Sequence, residues 1–132
     1  MDSEFENVPL LERKAIVEVL VLWSDGKINA LEVLVWASKF HDLISVDKMY
    51  YEDYEGEKQN SVSLEVLTKL DNLDMDLVLK EDIPKMLEFL KTPLGEFDRG
   101  YKVWTAYLDQ INYTNRQKQL RGNPLYSKFC NE

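Results

Sequence analysis

The chain has 132 residues, 45% hydrophobic and 11% aromatic, which suffices for one core and not for two, so a single folded domain is expected. A formal net charge of -8 argues against a surface built for nucleic-acid phosphates or anionic lipid, both of which such a field repels. One cysteine, Cys130, excludes an internal disulfide and a thiolate zinc cluster.

The acid is concentrated upstream. Residues 1–98 hold 22 acids against 10 bases, whereas residues 99–132 hold 2 against 6. The opening MDSEFENVP lacks the basic n-region and apolar core of a secretory signal. The longest apolar run, Ala15 to Trp23, falls far short of the ~20 residues that span a bilayer. A cytoplasmic protein without membrane association is expected.

In chain order, Asn7 and Pro9 mark a first helix start. The apolar residues from Leu10 to Trp23 cover most of that helix's circumference, which predicts a central element, and Asp25-Gly26 ends it. Asn29 with Glu32 forms a capping-box pattern, and Ile28 with Val33 has staple spacing, so a second helix over 30–43 closes an antiparallel hairpin.

Apolar periodicity then stops while aromatics do not. DKMYYEDYEGEK, residues 47–58, sets Tyr50, Tyr51 and Tyr54 among Asp47, Glu52, Asp53, Glu55 and Glu57. An exposed loop or frayed helix end is expected here, the kind of segment on which scaffolds place binding residues. Asn60 and Ser61 offer caps for a third helix carrying Val66, Leu67, Leu70 and Leu73. Near its end LDNLDMD crowds Asp71, Asp74 and Asp76, where acids oppose the helix dipole.

Asp82 can cap a fourth helix with Pro84 in its first turn, ended before Thr92-Pro93. A fifth, over 95–111, carries the core stripe Phe97, Tyr101, Trp104, Leu108 and Ile111. Asn112 or Thr114 starts a sixth, polar helix closed by Gly122, after which Leu125, Tyr126 and Phe129 clip the tail back. The predicted architecture is all-α, a compact single-domain bundle of five to six helices.

Catalytic constellations are sparse. His41 is the only histidine, so no second one completes a metal site, and no glycine-rich phosphate loop occurs among five glycines. Asp71, Asp74 and Asp76 lack the glycine and distal glutamate of a calcium loop. No enzyme activity, cofactor or metal is expected. A lone thiol near the C-terminus is expected to be dispensable.

Binding is the better-supported class. Tyrosine offers contact area at low rotamer cost, and neighbouring acids steer a basic partner. The candidate partner-binding residues are Tyr50, Tyr51, Glu52, Asp53, Tyr54, Glu55 and Glu57, with Asp71, Asp74 and Asp76, joined by Glu81 and Asp82, as a second patch.

WSDGKINALEVLVWASKF, EDIPKMLEFLKTPLGEF and the later GNPLY resemble a family of small bacterial helical proteins. Some of these resemble the immunity proteins that accompany secreted or contact-delivered toxins. The resemblance implies a cytoplasmic inhibitor, monomeric or weakly dimeric, bound to a cognate toxin domain of a basic, nuclease-like kind. Its segments are turns and caps and lie outside 47–58, so it assigns no site residue. The alternatives are a non-enzymatic adaptor or regulator that dimerises through an apolar helix face, and a carboxylate-metal enzyme.

Overall fold

The computed structural model describes residues 9–130. Six α-helices make up most of the described chain: α1 (Arg13–Ser24), α2 (Ala30–Ser45), α3 (Val62–Asp71), α4 (Ile83–Leu90), α5 (Phe97–Asp109) and α6 (Tyr113–Leu120). One small parallel sheet joins β1 (Leu10–Leu11) to β2 (Tyr50–Tyr51), with Leu10 opposite Tyr50 and Leu11 opposite Tyr51. No helix among the described residues is long and apolar enough to cross a membrane.

The helix starts follow side-chain chemistry. Asn29 accepts from the Glu32 N–H at 2.8 Å while Glu32 accepts from the Asn29 N–H at 2.9 Å, the reciprocal capping box. Ser61 caps α3 by accepting from the Leu64 N–H, and Asn112 caps α6 by accepting from the Asn115 N–H. After α1, Gly26 takes a φ of +77°, the left-handed turn that lets the chain reverse into α2.

The first helix begins later than its sequence suggests. Asn7 lies outside the described residues, and Pro9 leads into β1, not into a helix. Leu10 and Leu11 extend beside Tyr50 and Tyr51, and α1 starts at Arg13 behind Glu12. Nor is α1 the central element. It buries Ile16, Val19, Leu20 and Trp23 but leaves Val21 and Leu22 exposed.

The centre is α3, which buries Val62, Ser63, Val66, Leu67 and Leu70 and packs on α2, α4 and α1. A fully buried Val or Leu contributes about 1.5 to 3 kcal/mol, so this ten-residue helix anchors the core. The following turn continues it. Leu73, Leu77 and Val78 point inward, which throws Asp74 and Asp76 to the outer side. Leu77 adopts φ +52°, a left-handed backbone that a leucine takes only when its surroundings hold it there.

The stripe on α5 is core in its first half: Leu108 is only partly buried, and Ile111, half-buried, lies past the helix end at Asp109. Phe97 and Trp104 are buried and Trp104 stacks on Phe89 at 5.7 Å, but Tyr101 stays exposed at the edge. The tail does clip back: Tyr126 is buried and its hydroxyl donates to the Val78 carbonyl at 2.7 Å.

Cys130 is also buried, with its thiol 3.3 Å from the Tyr126 carbonyl, a placement that argues for a packing role. Cys130→Ser is expected to lower stability by on the order of 1 kcal/mol, because a hydroxyl replaces a nearly apolar thiol in the core. A melting-temperature fall of a few degrees, with slow labelling of the native thiol by a maleimide, checks this. Labelling at the rate of a free thiol would place Cys130 at the surface.

Candidate functional site

Residues 49–54 alternate. Met49, Tyr51 and Asp53 face inward, and Glu52 and Tyr54 face solvent, with Tyr50 half-buried. The period is that of a strand, and β1 imposes it: Tyr50 N–H donates to the Pro9 carbonyl and Glu52 N–H to the Leu11 carbonyl, both at 3.1 Å. Beyond it, Glu55 and Asn60 form an antiparallel bridge, and Gly56 (φ +68°) and Gln59 (φ +52°) turn the exposed tip 56–59.

Two of the sequence candidates therefore belong to the interior. Tyr51 is 2% exposed and meets Tyr54 edge-on at 5.5 Å. Burial, with the neighbouring Tyr54 and acids behind it, pushes its phenol pKa up. Asp53 is 3% exposed and cannot steer a partner. Its carboxylate accepts from Arg13 Nε at 2.6 Å, from the Ser61 hydroxyl, and from the Ser63 N–H at 3.1 Å. Burial works against its charge, yet the Ser61 and Arg13 bonds outweigh it and hold the pKa below the usual carboxylate value.

Arg13 extends the network across the molecule. Its Nη1 donates to the carbonyls of Leu90 (3.0 Å) and Thr92 (2.5 Å), so one guanidinium ties the start of α1 to the 47–60 segment and the end of α4. Glu52 works from the outer face, accepting the Arg13 N–H at 2.8 Å and so serving the first turn of α1.

What remains outward is a rim of Glu52, Tyr54, Glu55 and Glu57 with Tyr50 beside it. The fold brings this rim to the entry of α5. Glu55, Gly56 and Asn60 share an open groove of about 700 Å³ with Gly95, Glu96, Phe97, Asp98 and Arg99. Three carboxylates and one guanidinium thus line it, and Arg99 pairs with Glu96. Glu55 Oε2 is shielded from solvent and accepts no hydrogen bond from the described residues. Glu96 and Asp98 were missed by the sequence reading, since nothing local signals that a segment forty residues away will lie beside them.

The acids of the second patch each have a local partner. Asp71 accepts from the Ser38 hydroxyl at 2.7 Å and lies 3.5 Å from His41 Nδ1. Serine and histidine both address the carboxylate and not each other, so no nucleophile–base relay is formed. Asp76 pairs with Lys69 at 3.4 Å, and Asp74 accepts the Met75 N–H at 2.8 Å.

Asp82 is 3% exposed and is not a partner-facing acid. Its side chain does not cap α4; it accepts the Leu79 N–H at 2.8 Å, both Arg116 terminal nitrogens at 2.8 Å, and the Tyr107 hydroxyl. Glu81 stays exposed and sits 3.3 Å from Arg116. Among the described residues no group of three or more His, Cys, Asp or Glu is placed to hold a metal ion.

No family model, curated protein or solved structure matches the chain.

Proposed function

We propose that the protein is a non-enzymatic immunity protein that neutralises a basic toxin domain by covering it with the Glu52–Glu57 rim and the groove beside α5. The observation that carries this reading is the groove itself. Glu55, Glu96 and Asp98 line it together with the single cation Arg99, an excess of carboxylate suited to a lysine or arginine of a partner. Tyr54, 37% exposed and braced edge-on by Tyr51, supplies a pre-ordered aromatic contact beside those acids. The upstream excess of acid would draw a cationic surface towards the rim.

Steering and holding are separable. Replacing Glu52, Glu55 and Glu57 by glutamine is expected to slow association roughly tenfold at low salt and to flatten its salt dependence. Tyr54→Ala is expected mainly to speed dissociation, costing about 2 kcal/mol or more of binding against about 1 kcal/mol of folding from the lost edge contact. The deciding assay is a search of the flanking genes for a toxin domain and co-expression with the one found, scored by survival, beside melting curves of each variant; flanking genes that encode none would count against the reading. Equal protection by both variants would dismiss the rim.

A second reading draws on α2, where Leu31 (53% exposed) and Val35 (61%) lie one turn apart on its outer face. An adaptor that dimerises through this face would show a concentration-dependent mass by sedimentation, abolished by Val35→Glu.

A further inference from the structure

Between α4 and α5 lies a cleft whose chemistry is opposite to that of the acidic groove. Its volume is about 290 Å³, at the lower edge of the roughly 300 to 1,000 Å³ common for ligand sites. Phe89 and Trp104, stacked with 11° between their planes, are buried beneath it, and the exposed Val103 and Pro93 give it an apolar lining. Gly100 sets its width: a Cβ there would lie 2.2 Å from Thr92 Oγ1, so α5 comes nearer the Thr92-Pro93 turn than any side chain at 100 would permit.

The charges are inverted as well. Lys85, Lys91 and Arg99 line the cleft with a single acid, Glu88, in a chain whose net charge is -8. Glu88 is engaged by Lys85 at 3.4 Å, and Arg99 pairs with Glu96 outside the cleft. Lys91 makes no ion pair among the described residues. Lys91 and Arg99 are both exposed and so can meet an anion from solvent at the mouth of the cleft.

We propose that this cleft binds a small amphipathic anion, an aryl or short alkyl carboxylate, with its apolar body on Val103 and Pro93 above the buried Phe89–Trp104 pair and its carboxylate met by Lys91 and Arg99. The volume suits one ring or one short chain and not a strand or helix, which favours a small molecule over a peptide. The site stands whether or not the acidic rim meets a toxin, since only Arg99 lines both depressions.

The test titrates the full chain with 4-phenylbutyrate by calorimetry, using 4-phenylbutyramide as the neutral match. Saturable binding of the carboxylate with a Kd below about 1 mM is expected for a ligand of this size, with the amide at least tenfold weaker. Lys91→Glu should weaken the carboxylate at least tenfold at unchanged melting temperature, while Lys91→Arg retains it. Val103→Trp, at a 46% exposed position, should block the cleft and serves as a second, fold-sparing variant. The proposal is overturned by absence of saturation, by equal affinity for acid and amide, or by Lys91→Glu binding as well as the parent. A short acidic peptide ending in phenylalanine that binds tenfold more tightly than phenylbutyrate would also overturn it, by making the occupant a protein partner.

Discussion

Arg116→Met is expected to cost about 3 to 5 kcal/mol of folding stability, read from urea denaturation, the magnitude for a buried ion pair robbed of one member. Arg116 is 5% exposed, and its guanidinium meets Asp82 through both terminal nitrogens while Nη1 also donates to the Leu77 carbonyl at 3.0 Å. That last bond bears on the strained backbone of Leu77 (φ +52°), so its loss loosens the turn that carries Leu73, Leu77 and Val78 into the core. Removing the cation leaves the Asp82 carboxylate buried with only the Leu79 N–H and the Tyr107 hydroxyl. The double variant Arg116→Met, Asp82→Asn should lose less than the two singles added together, since neither charge is then stranded. A loss under about 1 kcal/mol for Arg116→Met would mean the pair is solvated in solution.

The same network sets an alkaline limit. Burial, and then the bond to Asp82, pushes the Tyr107 phenol up to about 12, above its unfolded value of 10.0. A raised pKa contributes stability that is fully present below pH 10 and is lost as pH rises through about 12, because the unfolded phenol ionises first. Tyr126, pushed up to about 12 by burial, acts in the same direction.

Helices were legible where caps and apolar stripes agree. Asn29 with Glu32, Ser61, Asn112 and the Phe97–Trp104 stripe each report a local choice that the tertiary structure leaves intact. The errors fall where a distant segment decides. Leu10 and Leu11 continue an apolar run and read as helix, but Tyr50 and Tyr51 offer backbone partners that no local pattern announces. Arg116 sits in a helix that is polar apart from Tyr113 and Leu120, and a buried cation in such a sequence is visible only once Asp82 is known to face it.

Two members of the candidate site, Tyr51 and Asp53, were misread for the same reason. In MYYEDY the inward register is Met49, Tyr51, Asp53, and an aspartate at an inward position disguises the alternation of a strand. Read without its partner Arg13, Asp53 is one more acid in an acidic loop. The exposed half of the segment, Glu52, Tyr54 and Glu57, needed no tertiary knowledge, whereas the groove formed with Glu96 and Asp98 did.

Asp53→Ala is therefore expected to destabilise the fold by about 3 to 5 kcal/mol, not to behave as a surface charge change. It would leave the Arg13 guanidinium with the Leu90 and Thr92 carbonyls alone, and the Ser61 hydroxyl and Ser63 N–H without their acceptor. The pH dependence identifies the mechanism. Asp53 has a folded pKa lowered from its ordinary value, so its stabilisation is present above the unfolded carboxylate pKa of about 4 and is lost as pH falls through the folded one. Asp53→Asn removes that titration, and its stability should fall less steeply than the parent's below about pH 4. Binding supplies the contrast: Asp53→Ala loses partner affinity and melting temperature together, because the rim rests on the network Asp53 holds, while Glu57→Gln at the exposed tip changes association alone. If Asp53→Ala melts within a degree or two of the parent but loses binding, the carboxylate faces the partner after all and the buried network does not hold in solution.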